Sequence, residues 1–123
     1  MLSAGEVVRK FYEAVRKKDL TAARAFLSPE LVFIGLFETY HGPAEYIAAL
    51  TGLLGVTARL DVKTIIAQGD EAAIFFELET VAPVRATTLV AEWHRVADGK
   101  IRRVQSAFDG RPFEAMFTGG KGT

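Results

Sequence analysis

The stretch RATTLVAEWHRVADGKIRRVQSAFD, residues 85–109, decides the fold. It reads as two long strands joined at Asp98-Gly99, because a type I′ turn needs two successive positive φ angles and Asp-Gly adopts them readily. Placing Ala97 opposite Lys100 sets the register. Trp93 then opposes Val104, Ala91 opposes Ser106 and Leu89 opposes Phe108. On the other face Glu92 meets Gln105, His94 meets Arg103 and Val90 meets Ala107. Directly opposed residues share a face, and side chains alternate along a strand. One face is therefore a nearly apolar floor and the other is mixed, and a slip of one residue would exchange them. In this register the floor, where a ligand would sit, carries almost no chemistry.

Before the hairpin the same period of two runs through residues 57–67 and 71–81, with Gly69-Asp70 as a turn between them. In the second of these strands Ile74, Phe76, Leu78 and Thr80 alternate with Phe75, Glu77 and Glu79, and Pro83 marks the next turn. Earlier still the spacing is helical. Ser3 and Glu6 fit a capping box, followed by Val8, Phe11 and Val15 with Val7 and Ala14 beside them. Asp19 caps a short second helix over 20–27, which ends at Ser28-Pro29; residues 31–35 form a short strand and 37–41 are irregular. Gly42-Pro43 opens a third helix, since proline suits the first helical position, and Tyr46, Leu50, Leu53 and Leu54 form its apolar stripe up to a left-handed stop at Gly55. Residues 112–117 read as about one and a half helical turns, with Phe113, Met116 and Phe117 on one side.

Three helices segregated to one face of an antiparallel sheet make an α+β fold. The expected architecture is a cone of three N-terminal helices packed on a curved, mainly antiparallel sheet. Its interior would be lined by Phe11, Val15, Phe33, Phe76, Leu78, Leu89, Ala91, Trp93, Val104, Ser106 and Phe108. The chain has 123 residues, half of them hydrophobic, which is enough for one core. Residues 1–118 read as a single domain and 119–123 as a disordered tail.

Fifteen basic and fifteen acidic side chains cancel without forming a basic stripe, so neither nucleic acid nor an anionic membrane surface is an expected partner. No apolar run approaches the roughly 20 residues that span a bilayer. The opening residues MLSAGEVVRK are neither a signal nor a transit peptide, so the cytoplasm is the expected location. Without cysteine there is no disulfide, thiol nucleophile or thiolate metal site. The two histidines, His41 and His94, lack metal-type spacing, so neither metal nor cofactor is expected.

Four phrases in this order, VVRKFYEAVRKKDLTAARAFLSPELVF, HGPAEYIAAL, GDEAAIFFELE and ADGKIRRVQSAFD, resemble the nuclear transport factor 2-like superfamily, and in particular its SnoaL-like branch of polyketide cyclases and ketosteroid isomerases. The resemblance implies the cystatin-like cone. The superfamily includes isomerases, cyclases, epoxide hydrolases, dehydratases and non-catalytic proteins. Carried over position by position, its catalytic groups are missing. The tyrosine donor on the first helix falls on Phe11, the base on the first strand on Phe33, and the protonated acid on the long hairpin strand on Ala91. The aspartate that cyclases and epoxide hydrolases place on the last strand falls on Ser106. Phenylalanine and alanine move no protons, so the resemblance implies the fold without its usual acid, base or oxyanion donor.

The remaining polar residues are read against plainer roles. Glu77 and Glu79 alternate away from Phe76 and Leu78, onto a solvated or interface face. His94, Glu92, Arg103 and Gln105 form a cross-strand cluster on the outer face. His41, with Glu38 and Tyr40 nearby, meets the positive end of the third helix and is a candidate at the pocket mouth. Ser106 is a polar handle on the floor, without a base beside it. The outer face mixes Phe75, Val90, Val96, Ile101 and Ala107 with charges, the character of an isologous homodimer contact. Three functions fit these features. One is a pocket protein for a compact apolar ligand. The second is an isomerase, cyclase or hydrolase with His41, Glu38, Tyr40 or Ser106 as displaced catalytic groups. The third is a non-catalytic dimeric scaffold.

Overall fold

The Asp98-Gly99 turn forms as the sequence requires. In the computed structural model, which describes residues 2–115, these residues have φ of 54° and 74°, and Ala97 pairs with Lys100. The register then changes. Val96 pairs with Ile101, but Arg95 pairs with Arg103, so Arg102 is an extra residue on the second strand. Beyond this bulge His94 opposes Val104, Trp93 opposes Gln105, Glu92 opposes Ser106 and Ala91 opposes Ala107. The expected pairing is off by one from Arg95 onward, and the first hairpin strand is turned over.

The reason lies in the second strand. Ile101 and Val104 are both fully buried, yet they are three residues apart and strict alternation would put them on opposite faces. Burying each is worth about 1.5–3 kcal/mol. A bulge at Arg102, which is exposed, lets both face the core together with Val96 and Val90.

The elements run α1 (Ala4–Arg16), α2 (Leu20–Arg24), β1 (Leu27–Ile34), β2 (Thr39–His41), α3 (Pro43–Leu54), β3 (Thr57–Gln68), β4 (Glu71–Thr80), β5 (Ala86–Ala97) and β6 (Lys100–Ala107). A short 3-10 turn follows at Arg111–Phe113. Among the described residues six strands form one mixed sheet in the order β2-β1-β6-β5-β4-β3, in which only β1 and β6 pair in parallel. The four-stranded antiparallel meander is present. The helices are not contiguous, because β1 and β2 separate α2 from α3.

Residues 37–41, read as irregular, supply β2, an edge strand paired only to β1. β1 starts earlier than expected and contains Pro29. It tolerates the proline because its pairing with β6 is interrupted between Leu27 and Val32. Gly55 caps α3 with φ of −64°, a right-handed rather than left-handed end. Met116, Phe117 and the tail 119–123 lie outside the described residues.

The capping box forms at Ser3 and Glu6, and α1 buries Val7, Val8, Phe11, Tyr12 and Val15 against the sheet. Opposite them stand Leu31, Ile74, Phe76, Val90, Ile101 and Val104. Glu77 and Glu79 point away from this core, as alternation requires, and ion-pair with Arg59 at 3.5 and 3.3 Å. No helix among the described residues is long and apolar enough to cross a membrane.

Candidate functional site

Helices and sheet enclose a cavity of about 410 Å³, a size typical of small-molecule sites. Val15 comes from α1; Leu50, Leu53 and Leu54 from α3; and Phe33, Leu60, Phe76, Leu78 and Val90 from the sheet. Phe37, Pro83, Phe108 and Phe113 complete the wall from loops. The lining is almost entirely apolar apart from Thr80, Thr88 and one pole, where Tyr12, Tyr46, Glu92 and Ser106 converge.

The pole is built from three elements. α1 brings Tyr12 inward because it lies four residues after Val8 and three before Val15 on the buried stripe. α3 brings Tyr46, which stacks on Phe33 with ring centroids 4.6 Å apart. The turned-over β5 brings Glu92 and His94, only 7% and 0% exposed. Tyr12 Oη is hydrogen-bonded to Glu92 Oε1 and lies 3.1 Å from His94 Nε2. Glu92 also shares a hydrogen bond with Ser106, its direct cross-strand partner, and the Tyr46 hydroxyl is hydrogen-bonded to Tyr12. His94 Nδ1 faces two backbone carbonyls, Glu92 O at 3.1 Å and Ala72 O at 3.3 Å.

Burial governs the protonation of this cluster. It pushes the Glu92 carboxyl above its usual range, opposed in part by its hydrogen bonds with Tyr12 and Ser106. It holds His94 down at about 4 despite the two carbonyls, so the imidazole is neutral at pH 7. It raises both buried tyrosines well above 10, reinforced by the nearby Glu92.

The residues expected from the sequence divide into three groups. Val15, Phe33, Phe76, Leu78, Ser106 and Phe108 line the cavity. Phe11 and Val104 stand behind the wall in the core. Leu89, Ala91 and Trp93 lie on the opposite face of the sheet, where Leu89 is 60% and Trp93 46% exposed. The Trp93 indole donates to Glu71 Oε1 at 2.8 Å, and the Arg103 guanidinium sits over its ring. Val90, Val96 and Ile101, expected on the outer face, are buried instead, and the cluster of His94 and Glu92 with Arg103 and Gln105 is split between the two faces.

The mouth candidates also stand apart. Partial burial, together with the 2.7 Å hydrogen bond that its hydroxyl donates to Glu38, pushes Tyr40 up to about 12. His41 is exposed, and its backbone N–H donates to Glu45, which occupies the start of α3. None of these three lines the cavity. Among the described residues no group of three or more His, Asp or Glu could hold a metal ion.

Sequence reading missed Tyr12, Tyr46, Glu92 and His94 as interior polar groups. Tyr12 and Tyr46 were recoverable from helical spacing. Glu92 and His94 required the bulge.

A family model described as the SnoaL-like domain matches residues 8–104. Solved structures of the same fold include an NTF2-like protein of unknown function from Burkholderia pseudomallei, 24% identical over 96% of this chain and 99% of that one, with a TM-score of 0.78. An LEH-like epoxide hydrolase of M. tuberculosis is 22% identical over 95% and 90%, with a TM-score of 0.77. A ketosteroid isomerase-like protein of Kribbella flavida is 19% identical over 85% and 76%, with a TM-score of 0.72. No curated protein sequence matches significantly.

Proposed function

The chain belongs to the SnoaL-like domain family, and from that premise we propose that it holds a compact, mostly apolar molecule in the cavity, with the molecule's one polar group against Tyr12, Tyr46, Glu92 and Ser106. The observation that supports this is an apolar wall closed at one pole by a cluster of hydrogen-bonding groups. Such a wall favours desolvation of a ring, while a few convergent polar atoms fix its orientation. Among the described residues no lining residue carries a positive charge, which disfavours an anionic ligand. Titration with naphthalene and 2-naphthol, followed by amide and methyl chemical shifts, tests the reading. Shifts concentrated at Phe33, Leu78 and Val90, abolished by Leu50→Trp in a folded variant, are the expected result. Absence of binding by either compound refutes it.

A second reading is favoured by one observation, a buried carboxyl facing the cavity and hydrogen-bonded to a tyrosine. Here the protein is an enzyme and Glu92, rather than His41 or Glu38, moves the proton. Perturbed carboxyls in clefts are characteristic of acid–base sites. Screening of isomerisation, cyclisation and epoxide hydrolysis on compact ring substrates tests it. A turnover lost in Glu92→Gln with ligand binding retained would establish it, and one unchanged in that variant would exclude it.

The exposed side of the sheet presents Ile66, Phe75, Leu89, Ala91 and Trp93 together, flanked by the Arg59, Lys63, Glu77 and Glu79 ion pairs. An apolar patch with a charged rim supports a homodimer through this face.

A further inference from the structure

His94 does not line the cavity, yet its ring decides where the protons of the polar pole lie. Both acceptors at Nδ1 are backbone carbonyls, Glu92 O and Ala72 O, which have no proton to give. A neutral imidazole in that setting carries its hydrogen on Nδ1, leaving a lone pair on Nε2. Nε2 lies 3.1 Å from Tyr12 Oη, so the tyrosine hydroxyl must donate to it. Tyr12 has one proton. Its contact with Glu92 Oε1 is then a hydrogen bond only if the carboxyl is the donor. The opposite arrangement, with Tyr12 donating to a carboxylate, would set the Nε2 lone pair against the phenol oxygen with no hydrogen between them.

The groups around Glu92 permit this order. Tyr12 faces it from α1, Tyr46 stands beside Tyr12 from α3, Ser106 faces it from β6, and His94 follows it on β5. Among the described residues no lysine or arginine lines the cavity to favour the anion, and Glu92 is the only carboxyl in the lining. Ser106 is hydrogen-bonded to the same carboxyl, and a protonated carboxyl has more acceptor lone pairs than these two contacts use.

We propose that His94 is a positioning residue whose Nδ1–H tautomer directs the Tyr12 proton away from the cavity, so that Glu92 stands there as a neutral acid whose free oxygen accepts a hydrogen bond from a hydroxyl-bearing ring ligand. The ligand class rests on the cavity reading above, and the proton order does not. A ligand hydroxyl donates to Glu92 Oε2. A ligand carrying only an acceptor finds the acidic hydrogen already engaged with Tyr12.

Two measurements on the ligand-free protein decide the proton order. The chain has two histidines, so nitrogen-15 imidazole spectra with a His41→Gln reference assign His94 directly. A neutral ring protonated at Nδ1 is expected; a proton on Nε2, or a charged ring at pH 7, overturns the proposal. Infrared spectra should show the carbonyl stretch of a protonated carboxyl at pH 7 that disappears in Glu92→Gln. In His94→Phe, Tyr12 is released to donate to Glu92, and this band should vanish at lower pH than in the wild type. A residue that only filled space would leave that midpoint unmoved, and an unmoved midpoint in a folded variant counts against the positioning role.

The ligand arm compares 2-naphthol with 2-methoxynaphthalene, which accepts but cannot donate. One hydrogen bond predicts about two- to tenfold tighter binding of the naphthol. Equal affinities, or a preference for the ether, overturn the ligand class. If neither compound binds, the cavity reading fails, while the spectra still decide the proton order.

Discussion

Folding shifts Glu92 and His94 in opposite directions, and this has a measurable signature. His94 drops to about 4 in the fold from an ordinary 6.5, so between these values the unfolded chain binds a proton that the native protein does not. Alone, this makes stability fall as pH drops below 6.5. Glu92 is raised above its ordinary 4.5, so the native protein keeps a proton that the unfolded chain has lost. Alone, this makes stability fall as pH rises above 4.5. Above pH 4.5 the two oppose each other, and the wild type should vary less steeply with pH than a variant that keeps only one of them. Glu92→Gln should expose the histidine, with unfolding free energy falling by up to about 1.4 kcal/mol per pH unit on acidification. His94→Phe should expose the carboxyl and give the opposite slope. Urea titrations across this range check both. A Glu92→Gln slope identical to that of the wild type would show that the Glu92 carboxyl titrates normally in the fold, and a flat Glu92→Gln profile would show the same of His94.

At the scale of the element, most of the architecture was legible because it follows from local rules. The Ser3–Glu6 box, the Asp98-Gly99 turn, the alternation of Ile74, Phe76, Leu78 and Thr80, and the apolar stripe of α1 all form as read. The interior of β5 was not legible, because a face assignment propagates from the turn and one inserted residue reverses it. The signal was present: in Ile101-Arg102-Arg103-Val104 two arginines separate two residues that both need burial, which alternation cannot satisfy. The same slip put the resemblance's acid on Ala91 when the carboxyl reaching inward is Glu92; separately, its helical donor was read onto Phe11 when the neighbouring Tyr12 lines the cavity. The position read for the strand base does hold Phe33, on the cavity wall. Deleting Arg102 should therefore cost far more than substituting it. Arg102→Ala changes an exposed side chain and should shift stability by less than about 0.5 kcal/mol. Loss of the residue forces Val96 and Ile101, or Val104 and Ser106, out of the core, and thermal denaturation should show a fall of several kcal/mol or no cooperative transition.

For the whole molecule, the outer face is the feature that the bulge makes conspicuous. With Leu89 and Trp93 turned outward, it carries different apolar side chains from the Val90, Val96 and Ile101 that the sequence register implied. A homodimer mass by light scattering is the expected state, and Leu89→Arg should yield a monomer that still binds 2-naphthol. A monomeric wild type would remove the case for this face as an interface. The cavity and the exposed patch are thus the two sides of one strand, Thr88, Val90, Glu92 and His94 within and Thr87, Leu89, Ala91 and Trp93 without. A single codon gained or lost near position 102 would exchange them, installing or erasing an interior acid with no change to the amino acids of that strand. Descent within such a lineage can switch chemistry by an indel in a neighbouring strand, where an inspection of aligned columns would register only a gap.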